Sequence, residues 1–299
     1  MTKEQRKSIE NGIWLCSNHS IEIDRDEVHY TGDILRQMKT AHESRVSAQL
    51  SGPSRLGASG DFLAIGTGIV ASGELIGTTG LEWTLRLDHF LIGELADLIE
   101  FSEKFDQISL YDRFVLVNAL GDGRQLALAP SWSRENGGFV VVCKVKESFP
   151  RISAHKLGRD IVFDFCLDNK GNIATVAGLD SLPQKIQTCL STLRGEILYS
   201  PEFGSRLKEY FDDFNDSPWL ARLFKLEVIR LACIPYFDSF LSQPYTPFQS
   251  VRRVRNVELA GARSGDLLPF RFQLDVEGVG DWQNEISIFV PLGTREPTV

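Results

Sequence analysis

A cysteine and a histidine three positions apart, Cys16 and His19 in "NGIWLCSNHSIEID" (residues 11–24), carry the most definite chemistry in this 299-residue chain. A thiolate and an imidazole at that spacing form half of a tetrahedral zinc knuckle, and two further ligands are needed to close it. Residues 1–15 hold neither Cys nor His, His29 and His42 lie downstream, and the position after the pair is Ser20, whose hydroxyl is a poor metal ligand. Zinc is therefore expected only with ligands supplied from elsewhere, and no other cofactor is expected. A second group of reactive types sits in "LRGEILYSPEFGSRLKEYF" (193–211), with Arg194, Glu196 and Glu202, followed by Asp212 and Asp213. Two carboxylates across a cleft, one of them held protonated, would suit glycoside hydrolysis. The expectation here is plainer: Glu196 pairs with an arginine and braces a turn, the others face solvent, and no residue is assigned a catalytic role. A third group is "SVRRVRNVE" (250–258). On a regular strand Arg253 and Arg255 would share one face opposite Arg252, forming a small basic stripe for interaction or a charged edge that discourages strand pairing.

The elements that must position these residues follow from periodicity. "TGDILRQMKTAHE" places Ile34, Leu35, Met38 and His42 on one helical face, with Thr31 as N-cap. "AQLSGPSRLGASGD" reads as a linker. From 61 to about 160, β-prone runs are divided by Gly, Asp and Asn, with one helix in "GELADLIEFSEKF" and a hairpin turn at "GDGR" (121–124). "GTGIVASG" (66–73) fits neither a P-loop nor a dinucleotide fingerprint, so its glycines are read as turns. After 161 come a hairpin in "DFCLDNKGNIATV", a helix over "LPQKIQTCLSTL", and a helix in "SPWLARLFKLEVIRLAC" with Ser217 as N-cap and Pro218 at its first position. Three strands close the chain in "SVRRVRNVELA", "LLPFRFQLDVEGV" and "NEISIFVPL". The fold class is α+β. The expected organisation is a short helical arm (1–47), a linker (48–60), a strand-rich domain (61–160) and a helix-plus-sheet domain (161–299).

Composition narrows the function classes. A formal net charge of −8 speaks against a protein built to grip phosphate backbones. Residues 1–55 carry eight Lys/Arg and eight Asp/Glu, so that segment is neutral as well. Nucleic acid is thus not supported as a partner by charge. The five cysteines are scattered without paired spacing, which predicts free thiols in a reducing cytoplasm. No signal-peptide pattern or membrane span is read, and other protein subunits are the expected partners.

Two resemblances add to this reading. Residues 11–24 with the helix that follows resemble the second half of an HNH endonuclease motif: Asn11 matches its Asn, Cys16 and His19 its knuckle pair, and Asp24 the Asp that follows. Ser20 stands where that family has a metal-binding His, so the resemblance implies a degenerate arm, or a nuclease subunit completed by a partner chain. Residues 170–291 resemble the small baseplate wedge family of contractile phage tails and type VI secretion machines. Arg194 and Glu196 match its Arg-Gly-Glu, and Pro201, Phe203 and Gly204 match the turn between its helices. The Glu-Pro-Arg docking motif of that family is not matched at Pro235. This resemblance implies an assembly protein, whose binding surface is expected to use Arg194, Glu196, Pro201, Phe203 and Gly204, with the arginine strand (Arg253, Arg255), read from its own residues, beside them. The expected function is a non-catalytic interaction protein of a bacterial or phage multiprotein system, in a tail-like assembly or an antiphage defence module.

Overall fold

The computed structural model describes residues 61–135, 138–161, 167–215, 217–237 and 243–291, together with 23, 25, 30–32 and 34–40. The chain divides into two compact units, Met1–Ser59 and Gly60–Val299. In the first, residues 34–40 are helical. The Thr31 hydroxyl accepts the Ile34 N–H at 3.5 Å and the Thr31 carbonyl accepts Leu35 N–H at 3.0 Å, so Thr31 caps this helix as its position predicts.

The second unit begins with an antiparallel sheet. Its strands are β1 (Asp61–Ile65), β2 (Ile69–Thr79), β3 (Glu82–Ile92), β4 (Phe114–Val117), β5 (Asp122–Gln125), β6 (Ser131–Glu135) and β7 (Gly138–Lys144), in the spatial order β5-β4-β1-β2-β3-β7-β6. β2 and β3 form a long hairpin around Gly80–Leu81, and Gly80 supplies the left-handed φ of +62° that this turn requires. The sheet curls until its two sides meet. Leu126 bridges Val145, Ala127 N–H bonds to Lys144 O at 2.8 Å, and Lys146 N–H bonds to Gln125 O at 2.8 Å. One face closes over Leu63, Ile65, Trp83, Leu85, Leu87, Val141 and Cys143. α1 (Leu95–Glu103) adds Leu98 and Phe101 to that interior. Because successive strand residues point to opposite faces, Phe62 and Ala64 of the same β1 face outward, into a second core.

That second core holds the rest of the unit: the short pair β8 (Asp160–Ile161) and β9 (Thr175–Val176), then α2 (Leu182–Ser191), α3 (Leu207–Phe214), α4 (Leu220–Cys233) and the three-stranded antiparallel sheet β10 (Val251–Leu259), β11 (Leu267–Val276), β12 (Gly280–Phe289). α4 is buried on every side from Leu226 to Cys233. With Glu227 and Arg230 buried among its apolar residues, α4 lies inside, packed against the outer face of the first sheet and against β10. The strand-rich portion and the helix-bearing portion therefore share one core, in which Phe62, Val70, Phe114 and Leu116 pack with residues of α2–α4 and β10–β12. With its helices and antiparallel sheets the molecule is an α+β protein.

Three local expectations shift. The turn read at 121–124 lies at Asn118–Gly121, and Asp122-Gly123 are the start of β5. Gly121 holds the left-handed φ of +61°. Gly123 is required for contact instead: a Cβ there would stand 2.4 Å from Leu116 and 3.4 Å from Ile229 of α4. α4 starts at Leu220, because Ser217 caps a preceding turn by accepting Trp219 N–H at 3.2 Å. β10 is not a regular strand. Register shifts between Val251 and Arg253 and between Val254 and Asn256 place Val251, Val254 and Val257 in the core at three-residue intervals. Arg252, Arg253 and Arg255 are all exposed as a result, and the expected opposition of Arg252 to the other two does not hold.

Candidate functional site

The stretch 193–206 links α2 to α3. Leu193 and Ser205 form a parallel bridge, Arg194 N–H bonds to Ser205 O at 3.0 Å, and Ser205 N–H bonds to Thr192 O at 2.8 Å. The ends of the loop are thus clamped side by side. Within it, Gly195 N–H reaches Pro201 O at 2.9 Å, Ser200 N–H reaches Ile197 O at 3.0 Å, and Phe203 N–H reaches Ser200 O at 3.0 Å. Glu196 braces the turn through the backbone and not through the expected arginine: its Oε2 accepts Leu193 N–H at 2.8 Å. Gly204 has φ +98°, and a Cβ there would lie 2.7 Å from backbone atoms of Thr192 and Leu193. Only glycine fits so close an approach.

Two arginines tie this loop to the first sheet. Arg194 binds Asp112 bidentately, Nη1 to Oδ1 at 2.9 Å and Nη2 to Oδ2 at 2.6 Å, across 82 residues of sequence and with both side chains mostly buried. The planar fork fits a carboxylate in this geometry. Arg206 donates to the Thr67 carbonyl in the β1–β2 turn and pairs with Glu209 at 2.7 Å.

Beneath the loop, α4 carries a fully buried ion pair. Arg230 contacts Glu227 through Nε at 3.1 Å and Nη2 at 2.5 Å, and its Nη2 also donates to the Gly204 carbonyl at 2.5 Å. Glu227 Oε1 in turn accepts Arg206 N–H at 3.0 Å. Burial works to raise the Glu227 pKa, but the Arg230 charge and hydrogen bonds, with those of Arg206, outweigh it and hold the carboxyl below its ordinary range. The Arg230 guanidinium lies 4.7 Å from the Tyr111 ring centroid. Tyr111 meets Tyr236 at 5.0 Å, and Tyr236 meets Phe203 at 5.4 Å, both edge-on. Pro201, Phe203 and Gly204 are therefore brought together with Arg194 and Glu196 on one frame.

Sequence reasoning missed Asp112, Arg206, Glu227 and Arg230. The last two had a signal: a Glu and an Arg three apart in an otherwise apolar helix are neighbours on one side and need each other when buried. Asp112 had none, because its partner comes from 82 positions away.

Above the frame, apolar side chains face solvent. Leu198 is 91% and Tyr199 76% exposed at the tip of the loop. Leu110, two residues before Asp112, and Phe237, next to Tyr236, are also exposed.

Arg253 and Arg255 lie apart from this frame, on β10. Arg255 pairs with Asp281 at 2.9 Å and Asp275 at 3.7 Å, and Arg252 with Glu277 at 3.4 Å. Arg271 of β11 completes the face with Glu258 and Glu285. Most of the positive charge is thus answered within the sheet. Arg253 takes part in no ion pair among the described residues.

Cys16 and His19 lie outside the described residues. Among the described residues no cluster of three or more His, Cys, Asp or Glu could hold a metal ion, and no helix is long and apolar enough to cross a membrane. The described cysteines, Cys143, Cys189 and Cys233, are free and buried, and burial pushes each thiol up to about 12. A thiol in that state is a poor nucleophile near neutral pH. Among the described residues, the carboxylates displaced from their ordinary range are lowered. Glu100 is held down by its hydrogen bond to Lys104, Asp168 by the Asn172 backbone N–H, and Glu227 by its arginines. A general acid needs the opposite shift. The interior gap lined by Leu190, Leu207, Phe224, Val228, Val257, Phe270 and Phe272 is apolar throughout.

Comparison of the chain with protein-family models, with curated proteins and with solved structures finds no match.

Proposed function

We propose that this protein is a non-catalytic interaction subunit of a multiprotein assembly and that the loop at 193–206 is its docking element. The observation that carries this reading is the contrast between a rigidly bonded base and an exposed apolar tip. Arg194, Glu196 and Gly204 are spent on holding the loop, while Leu198 and Tyr199 face solvent above it. A contiguous apolar projection on a charged protein is a common feature of binding surfaces, and an ordered loop loses little conformational freedom on binding. The carboxylates near the loop support the same reading, since Glu196 and Glu227 are bound to backbone N–H groups and Asp212 pairs with Lys208. The resemblance of the Arg-Gly-Glu and Pro-x-Phe-Gly-Ser segments to the baseplate wedge family suggests the setting, a tail-like assembly or defence module of a bacterium or phage.

The test is co-purification. The tagged full chain, isolated without crosslinking from the cells that encode it, brings other subunits with it in near-stoichiometric amount. Arg194→Ala, which frees the base of the loop, reduces that recovery several-fold while the protein remains folded by circular dichroism. A chain that emerges alone overturns the proposal.

A further inference from the structure

The loop tip also carries information about what it meets. Its apolar residues are bordered by acid: Glu196 and Glu202 stand on either side of Leu198-Tyr199 in the chain. Within 193–206 two carboxylates, Glu196 and Glu202, stand against two arginines, and both arginines are engaged internally, Arg194 with Asp112 and Arg206 with Glu209 and the Thr67 carbonyl. Glu202, partly exposed, has no cation within ion-pairing distance among the described residues. Two more apolar side chains are exposed beside residues that the loop contacts. Leu110 is 59% exposed beside the residues that hold Arg194, and Phe237 is 60% exposed beside the tyrosine that packs on Phe203.

We infer that the tip inserts into an apolar pocket with a Lys/Arg rim on another protein of the assembly, with Leu198 as the buried anchor and Glu202 as a rim contact. This inference rests on the interaction reading above and names the partner's chemistry. A large side chain held on an ordered loop fits the anchor role, because little freedom remains to be lost. The negative charge of Glu196 and Glu202, which flank the anchor in the chain, disfavours a second copy of the same tip and the anionic face of a membrane. It favours a positive rim, which speeds encounter and makes binding salt-dependent.

The experiment places a photoreactive benzoylphenylalanine at Leu198 in the full chain, expressed in its own cells, and sequences the crosslinked peptide. The expected result is one partner protein, crosslinked at an apolar segment flanked by Lys or Arg. Its yield falls at least threefold in 0.5 M salt and again in Glu202→Lys, with the thermal midpoint of each variant unchanged. Crosslinks to a second copy of the chain, to lipid or to an acidic or neutral peptide overturn the inference, as does the absence of any crosslink. If subunits still co-purify in that last case, the assembly reading stands and only this inference falls. If nothing co-purifies, both fall.

Discussion

Arginine–carboxylate pairs occur in two settings in this molecule. In the loop frame, Arg230 and Glu227 are about 1% and 2% exposed, and Arg194 and Asp112 are mostly covered. On the β10–β12 sheet, Arg252, Arg255 and Arg271 pair with acids across open solvent. The chemical groups are the same, and the surroundings decide what each pair does. Water screens and competes with the exposed pairs, so each adds little to stability. A buried pair cannot lose one member without stranding the other charge in a medium that solvates it poorly. Each buried partner here also holds backbone: Arg230 holds Gly204 O, Glu227 holds Arg206 N, and together they set the path of the loop. Charge is thus structural in one region and a solubilising surface in the other.

The sharpest way to break this comparison is Glu227→Gln. It leaves the Arg230 charge buried without its counter-ion, and the expected loss is about 3–5 kcal/mol in urea unfolding. The double variant Glu227→Leu/Arg230→Met removes both charges and is expected to recover most of that stability, though not the loop geometry. A double variant as unstable as the single one would show that the pair itself, and not the stranded charge, carries the energy.

Asp112→Ala comes next. It removes two charge-assisted hydrogen bonds to a mostly buried Arg194, with an expected cost of about 1.5–3 kcal/mol. The loop should also gain backbone hydrogen exchange at Gly195 and Phe203, which mass spectrometry of exchanged peptides reads directly.

Acid titration sharpens the contrast further. Glu227 titrates below its ordinary range. Its contribution is therefore complete above the unfolded value of about 4.3, and it is lost as the pH falls through the lower folded value. The stability difference between the wild type and Glu227→Gln is expected to hold steady from pH 7 to about 5 and to shrink below about pH 4. A difference that stays constant down to pH 3 would refute the sign of this assignment.

The smallest effect belongs to Arg255→Ala. Its side chain is about half exposed, and its loss should cost under about 1 kcal/mol, less still in 0.5 M salt. A loss as large as that of Asp112→Ala would end the distinction between the two regions.

Much of the local structure was legible in the chain. Thr31 has the position of a cap, and it bonds as one. The Asp168 hairpin, the alternation of Phe270, Phe272, Leu274 and Val276, and the broad apolar surface of α4 follow from spacing alone. Glu196 was read as a brace, though its partner is the Leu193 N–H and not an arginine. Other features needed the third dimension. Asp-Gly at 122–123 has the composition of a turn, yet Gly123 is required because Leu116 of the neighbouring strand leaves no room for a Cβ. A regular strand would set the arginines of β10 at a period of two, but the register shifts bury Val251, Val254 and Val257 at three-residue intervals and leave Arg252, Arg253 and Arg255 all exposed.

The sequence by itself determined most of the strands and helices, which class of fold they make, and which loop carries the conspicuous Arg-Gly-Glu and Pro-x-Phe-Gly-Ser residues. These depend on neighbours a few positions apart, whose spacing decides which face meets water. The tertiary structure alone decided that the two halves of Gly60–Val299 share a core, that Arg194 finds Asp112, and that Arg230 reaches Gly204. Such partners are far apart in the chain. Only the packing of α4 between two sheets brings them within hydrogen-bonding distance and excludes the water that would otherwise compete.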